Sequence, residues 1–562
     1  PCDGEVRVTH HGKHTRGRVR SPADARRRVP QETPSRAPGI NQTQPMHNAL
    51  VSDSQVAETR TRLRWWRVVL PLALLVVFGS WAVTSPVGSS PDDDYHLSSI
   101  WCAGGERSGV CEVVEGEPEA LAVPESVGFA HECFAFQAAV TAACTESLTN
   151  TLVPTQRVNN RLGLYPSFFY RAMNVFVGDD PQRSVLVMRM VNAIVFVALL
   201  SVALTVLAPA IGSAVAVTTA VVLVPLGLFI IPSTNPSSWT VTGVIFVWAF
   251  GLALAQRTSW WSQRTWLLAV ATCLSAFLVI GSRVDASAFV ALAVIVVFVL
   301  TGWTKARASW ISFVVLLVLA TIGLVQFATF GTPGSGVSGG MGTTEPGPGL
   351  FLTNVVYLPV YVIGSVGGMP LGWNDTVLPP LVPVFGVLVL GALMARGLQD
   401  VPRSKGIALL VSLGAVAAVP LVFQQREGLG VGEVVQARYL LPLMLVLMLT
   451  LSLRVPFWRT TDGGLPLPGV LAWVIGVGVA AAASVSLWVH AHRYAAGNER
   501  GLFDIDLVLE WSGLLSIPVP VTVGVGIVAS VIFVAAALIG VRRDAVITER
   551  TDSRTTAFRL VR

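Results

Sequence analysis

The sequence predicts an all-α, polytopic integral membrane protein with about twelve transmembrane helices and a large first extracytoplasmic loop. Of its 562 residues, 52% are hydrophobic and only 13% charged, about half the charged share of a soluble domain. The apolar residues fall in nearly charge-free blocks of about 15 to 25, the length that crosses a hydrocarbon core. Basic residues gather between alternate blocks, as the positive-inside rule asks. This arithmetic excludes a soluble enzyme, a disulfide-rich secreted module and a fibrous chain. It also speaks against a barrel, whose strands would alternate over about ten residues. The net charge of +6 is what basic cytoplasmic loops give, so no nucleic-acid partner is called for.

Residues 1–65 read as a disordered, basic cytoplasmic tail with no apolar block able to form a core, and Met46 is a candidate start. The first span, about 68–83, follows Arg60, Arg62, Arg64 and Arg67 and lacks a convincing cleavage site, so it reads as a retained anchor. A first outer loop covers 85–183. Further spans are expected near 184–208, 213–231, 239–256, 266–282, 287–303, 310–329, 379–395, 407–423, 439–453, 470–489 and 519–541. The loops that then fall on the cytoplasmic side hold Arg257 and Arg264, Lys305 and Arg307, Arg396, Arg403 and Lys405, Arg454 and Arg459, and Arg542 and Arg543. Each is basic, as required. The stretch 350–366 is apolar enough to tempt a thirteenth span, which would invert every later loop. It is therefore read as a re-entrant or interfacial helix within an outer segment 331–378. The membrane domain is 66–545, and 546–562 form a cytoplasmic C-terminal tail.

Four of the six cysteines, Cys102, Cys111, Cys133 and Cys144, lie in the first outer loop. An even set in a non-cytosolic segment suggests two disulfides. Local pairing, Cys102 with Cys111 and Cys133 with Cys144, is favoured among the three connectivities, with a zinc site as the alternative. Cys273, within a span, reads as core packing.

The loop opens with Ser90-Pro91-Asp92-Asp93-Asp94-Tyr95-His96. Three adjacent carboxylates at a membrane surface repel one another and anionic headgroups, so such a cluster suits holding a proton, a metal ion or a substrate hydroxyl. Asp92 and Asp93 are the candidate catalytic acids, either as general base or as ligands of a divalent cation, with His96 nearby. The plainer reading is a solvated acidic turn capping the next helix. The loop ends in Arg157 to Arg171, where Tyr165 and other aromatics interleave with Arg and Asn; that pattern suits a sugar face or an interfacial belt. Arg189 inside the second span and Arg438 at the outer end of the tenth, next to Tyr439, are costly cations that could clamp a lipid phosphate or snorkel to the interface. Arg283 and Asp285 read as an internal ion pair. Asp375, two residues after Trp373, is a candidate for the same cavity. There is no P-loop, GxSxG or HExxH.

Several of these residues resemble a known pattern. Ser90-Pro91-Asp92-Asp93-Asp94-Tyr95-His96 is similar to the Ser-Pro-Asp-Glu-Pro-x-His motif of a bacterial polytopic family catalogued as domain of unknown function 2142. Tyr165-Pro166 with Phe169-Tyr170, Arg189, Asn235-Pro236, Gly372-Trp373-Asn374-Asp375-Thr376 with Leu378-Pro379, and Arg438-Tyr439 with Pro442 continue the resemblance over roughly 66–545. That family in turn resembles the GT-C glycosyltransferases. The resemblance implies transfer of a sugar from a polyprenyl-phosphate donor to an envelope glycan or protein, on the outer face of the bacterial cytoplasmic membrane. Asp92 matches the family's Asp, Asp93 its Glu and His96 its His; Asp94 and Tyr95 replace the usual Pro and small residue, which leaves open which carboxylate is the base. The cysteine-bearing insertion of about 101–150 is read as a lineage feature bearing on acceptor choice. A transporter or flippase of lipid-linked precursors and a non-catalytic envelope scaffold are the competing classes. The flippase predicts related halves and midplane charges, and no repeat is evident.

Overall fold

A computed structural model describes residues 65–560 apart from 158–159, 161–164, 331–345, 400, 434, 456–466, 504–508 and 516. The basic tail 1–64, most of the Gly-rich stretch 331–349 and Arg459 lie outside the described residues.

Along the chain, α1 (Trp66–Thr84) is followed by α2 (Asp93–Trp101), the strands β1 (Glu112–Val113), β2 (Leu121–Pro124) and β3 (Leu152–Thr155), and α3 (Ser167–Asn174). Then come α4 (Pro181–Val206), α5 (Pro209–Val222), α6 (Leu226–Ile230), α7 (Ser237–Leu254), α8 (Gln263–Ile280), α9 (Ala288–Thr301) and α10 (Trp310–Phe330). The remainder is α11 (Pro348–Tyr357), α12 (Pro359–Ile363), α13 (Leu381–Gly397), α14 (Arg403–Glu427), α15 (Ala437–Ser452), α16 (Gly469–Ala496) and α17 (Val519–Leu560).

Among the described residues, nine helical segments are long and apolar enough to cross a membrane, and α5, α9, α13 and α15 are shorter apolar helices. The twelve expected spans each fall on one of these segments, the third on α5 and α6 together. The remaining segment is 348–368, where the backbone breaks at Val366 (φ −106°) and Gly367 (φ +99°). The last helix runs on to Leu560, through most of the expected C-terminal tail.

Hydrogen bonds between helix ends sort the bundle into two faces. At one, Lys405 Nζ donates to Gly397 O and Leu451 O at 2.9 and 2.8 Å, Arg264 donates to Val206 O, and Gln256 meets Thr301. These contacts gather the expected basic loops at one end. At the other, Phe169 N donates to Gly281 O, Gln326 to Ile280 O and Arg438 to Asp92. The acidic motif is at this second end.

Helices in lipid gain little from apolar burial against each other, so small residues that allow close approach matter. α1 and α17 run antiparallel on this basis. A Cβ at Gly540 would lie 2.3 Å from the Trp66 ring, and one at Gly526 would lie 2.7 Å from Ser80 Cβ. Helix α7 is wholly buried and forms the centre, whereas only 22% of α10 and 28% of α14 is buried, which places them at the rim. Cys273 is exposed on α8, not packed in the core; it shares the outward side of that helix with Val270, Leu274 and Phe277.

The first loop makes a small lobe of three antiparallel strands in the order β1-β2-β3. So few residues cannot bury much apolar surface, and cross-links supply the rest of the order. Cys102 joins Cys111, and Cys133 joins Cys144.

Candidate functional site

The three aspartates leave the chain in three directions. Asp92 holds a left-handed conformation (φ +59°) at the start of α2, and this turn separates its side chain from those that follow. Its Oδ2 accepts from Arg438 Nη2 at 2.6 Å, and the Asp92 side chain is 38% exposed. Asp93 is fully buried. Its Oδ1 accepts from Thr234 Oγ1 at 2.6 Å, its Oδ2 from Ser90 N at 3.0 Å, and Arg189 stands 3.9 Å away. Asp94 turns to Arg157, whose Nε lies 2.6 Å from its Oδ2. Asp92 and Asp93 therefore do not share a ligand. Nor does any group of three His, Cys, Asp or Glu converge among the described residues.

Arg189 is not in the cleft. Its guanidinium donates to Ala82 O (3.3 Å), Ser85 O (2.5 Å) and Pro86 O (2.9 Å) and reaches Ser89 Oγ at 3.4 Å. Those are the carbonyls at and just past the C-terminal end of α1, where a helix leaves acceptors unpaired and favours a cation. Arg189 thus caps α1 and faces Asp93 from behind. The 231–236 turn completes this floor: Asn235 Nδ2 donates to Pro91 O at 2.8 Å, and Asn192 Nδ2 to Ser233 O at 2.7 Å.

Asp375 is also a structural acid. It is buried and pairs with Arg493 Nη2 at 2.9 Å. Arg493 further donates to Val140 O, Phe134 O and Gln137 O. The C-terminal end of α16 is thus tied to both the disulfide lobe and the 371–376 turn. Arg493 is absent from the sequence expectations, although it too is a guanidinium in an end turn of an apolar helix, the last turn of α16 where Arg438 stands in the first turn of α15.

Around Asp92 the site is basic and aromatic. Arg438 is 4% exposed, donates to Tyr439 Oη at 2.9 Å, and lies 4.9 Å from that ring's centre. Arg283 covers Tyr439 at 4.7 Å and Tyr165 at 5.6 Å, while binding Asp285 through two bonds of 2.9 Å. The expected pair is present but not internal, since the Asp285 side chain is 53% exposed, and the same cation also builds the site wall. Tyr165 packs at 5.4 Å from His96 and 5.6 Å from Tyr95. His96 Nδ1 lies 2.9 Å from Tyr170 Oη. Buried nitrogens Nε and Nη1 of Arg438, Nη1 of Arg283 and Nε2 of His96 have no hydrogen-bond partner among the described residues. Unpaired buried donors are costly, and several together mark a place where an acceptor-rich ligand fits.

The electrostatics separate the acids. Burial raises the Asp92 carboxyl, but Arg438, then His96, Arg283 and Arg157, outweigh it and hold the pKa below the usual value, so Asp92 is ionised at neutral pH. Burial pushes Asp93 up to about 6 against the pull of Arg189 and its hydrogen bonds. Burial holds His96 down to about 3, with Asp92 opposing and Arg283, Arg438 and Arg157 assisting, so the imidazole is neutral. A carboxyl whose folded pKa lies above its unfolded one contributes stability below the unfolded pKa and loses it as pH rises through the folded one. Thermal midpoints should therefore fall between about pH 4 and 6, by the equivalent of about 3 kcal/mol. In Asp93→Asn that slope should flatten.

A cleft beside the pair is lined by Pro91, Phe229, Met369, Gly372, Asn374, Gln436 and Arg438, among others. Its cavity volume is only about 20 Å³. A cavity of that size holds about one water molecule, and the 364–374 lip that borders it contains the non-helical Val366 and Gly367.

Nine helical segments long and apolar enough to cross a membrane, among the described residues, mark an all-α polytopic membrane protein, with the Asp92–Arg438 pair beside a small cleft at one end. The chain belongs to the family described as predicted membrane protein (DUF2142), which its residues 75–447 match. That stretch contains Asp92 to His96, Tyr165, Arg189, Asp375, Arg438 and Tyr439, whereas Arg493 lies beyond it. No curated protein and no solved structure matches the chain.

Proposed function

We propose that the protein is a membrane glycosyltransferase that moves a sugar from a polyprenyl-phosphate carrier to a hydroxyl of a cell-envelope acceptor, on the outer face of a bacterial cytoplasmic membrane. The observation that carries this reading is the Asp92–Arg438 pair: an ionised, partly exposed carboxylate bound to a buried guanidinium with two unpartnered nitrogens. Asp92 is the general base and Arg438 the phosphate ligand. His96, Tyr165 and Tyr439 line the substrate. Asp93 and Arg189 position Asp92 from behind, and Asp375 holds the opposite wall.

In the proposed step the acceptor oxygen attacks the anomeric carbon and its proton passes to Asp92. The bond from the anomeric carbon to the phosphate oxygen breaks, and the lipid phosphate departs carrying the electron pair. Arg438, with Arg283 behind Tyr439, stabilises the charge that develops on that oxygen. The two roles are coupled. While Arg438 holds Asp92, the carboxylate is a weak base; a phosphate that draws Arg438 towards itself raises the basicity of Asp92 as the donor arrives. The gathering of Lys405, Arg264 and Arg257 at the opposite end supports an outward-facing cleft, and a reporter fused after Lys405 should read cytoplasmic.

Purified protein given synthetic polyprenyl-phosphate sugars should release lipid phosphate in step with glycosylated acceptor. Movement of the intact lipid across vesicles without release would favour the flippase instead.

A further inference from the structure

Phe136 is 70% exposed and holds a left-handed backbone conformation, φ +62°. A bulky side chain adopts that conformation only when its surroundings force it, and such strain gathers at functional sites. Here the surroundings are explicit. The Cys133–Cys144 disulfide closes the loop, and the buried Arg493 binds the carbonyls of Phe134, Gln137 and Val140 at 2.9, 3.0 and 2.5 Å. The same guanidinium pairs with Asp375, in the turn that carries Trp373. One cation from α16 therefore fixes both the Phe136 loop and the Trp373 turn.

The rings meet in a defined arrangement. Trp373 Nε1 donates to Gly88 O at 2.8 Å, which sets the indole. Phe136 lies edge-on to it, centroids 5.5 Å apart at 67°, and His131 stacks on it at 5.3 Å and 27°. Gly372 and Asn374, on either side of Trp373, line the cleft beside Arg438. We propose that Phe136, Trp373 and His131 form an aromatic subsite that stacks the neutral glycan acceptor at the rim of the cleft. Aromatic faces suit the C–H faces of sugar rings, whose hydroxyls remain free at the edges. The lobe 102–157 carries eight Glu against two Arg, which repels anionic headgroups and acidic polymers and leaves an uncharged chain as the fitting occupant. The acceptor role rests on the proposed transfer reaction, whereas the binding does not.

The test uses the full-length protein in detergent with cellohexaose, xylohexaose and mannohexaose, read by calorimetry or saturation-transfer NMR. At least one hexasaccharide should bind. Phe136→Gly, which removes both the ring and the left-handed strain, should weaken that binding roughly tenfold while melting no lower than the native chain. Trp261→Ala, which removes an exposed ring at the end of the bundle that carries Arg264, should bind it unchanged. If none of the three binds, or if Phe136→Gly binds as the native protein does, the subsite is overturned. Lipid-phosphate release plays no part in this readout, so either idea can fail while the other stands.

Discussion

Replacing Arg189 with Met is expected to remove most of the folded protein, at a cost of about 4 kcal/mol, within the range for breaking a buried pair. The residue is wholly buried, and its guanidinium serves Ala82, Ser85, Pro86 and Ser89 while facing Asp93. Met fills a similar volume but donates nothing. The last carbonyls of α1 lose their donors, and Asp93 must take up a proton to remain inside. Arg189→Lys should recover little, because one ammonium cannot span the same set of acceptors as the planar fork. Adding Asp93→Asn to Arg189→Met should recover part of the loss by removing the stranded acid. Monodisperse yield and thermal midpoint in detergent measure all three. A normally melting Arg189→Met would show that the α1 terminus is satisfied in some other way.

Arg438→Gln is expected to act on chemistry more than on folding. It removes the cation that depresses Asp92 and the donors proposed for the departing phosphate. Loss of one preorganised donor set at a developing oxyanion typically lowers turnover by about a hundred- to a thousandfold. With Arg438 gone, Asp92 should titrate closer to the ordinary carboxylate range, since Arg438 is the strongest of the cations lowering it. The acid limb of any remaining pH–rate profile should therefore move to higher pH. A variant that lost donor affinity with an unmoved acid limb would separate phosphate binding from the control of Asp92.

The bundle was legible because the lipid solvent imposes a length and a charge rule that act residue by residue, and no tertiary knowledge is needed to apply them. The lobe's disulfide pairing was legible for a similar reason: short separations leave little choice of partner. The site was only half readable. Asp92, Arg189 and Arg438 all stand out in the sequence as functional candidates, but composition cannot tell an arginine that serves a cleft from one that caps a helix. Arg189 and Arg438 both lie on apolar helices at the end of the bundle that carries the acidic motif, yet one meets four backbone and hydroxyl acceptors and the other meets Asp92 and Tyr439. Adjacent carboxylates posed the same difficulty. The left-handed turn at Asp92 sends its carboxylate outward and that of Asp93 inward, and nothing in Asp-Asp-Asp announces which of the three will turn. Arg493 went unread because its partners, three carbonyls of a disulfide loop and Asp375, are more than a hundred residues away in sequence.

The division of labour between the first two aspartates is most directly measured by lipid-phosphate release from Asp92→Asn and Asp93→Asn, each assayed alongside its thermal midpoint. Asp92→Asn should melt like the native protein and release no lipid phosphate above background. Asp93→Asn should show altered melting and retain release at temperatures where it is folded. Full release by a folded Asp92→Asn, or a folded Asp93→Asn that is inactive while Asp92→Asn works, would contradict the assignment.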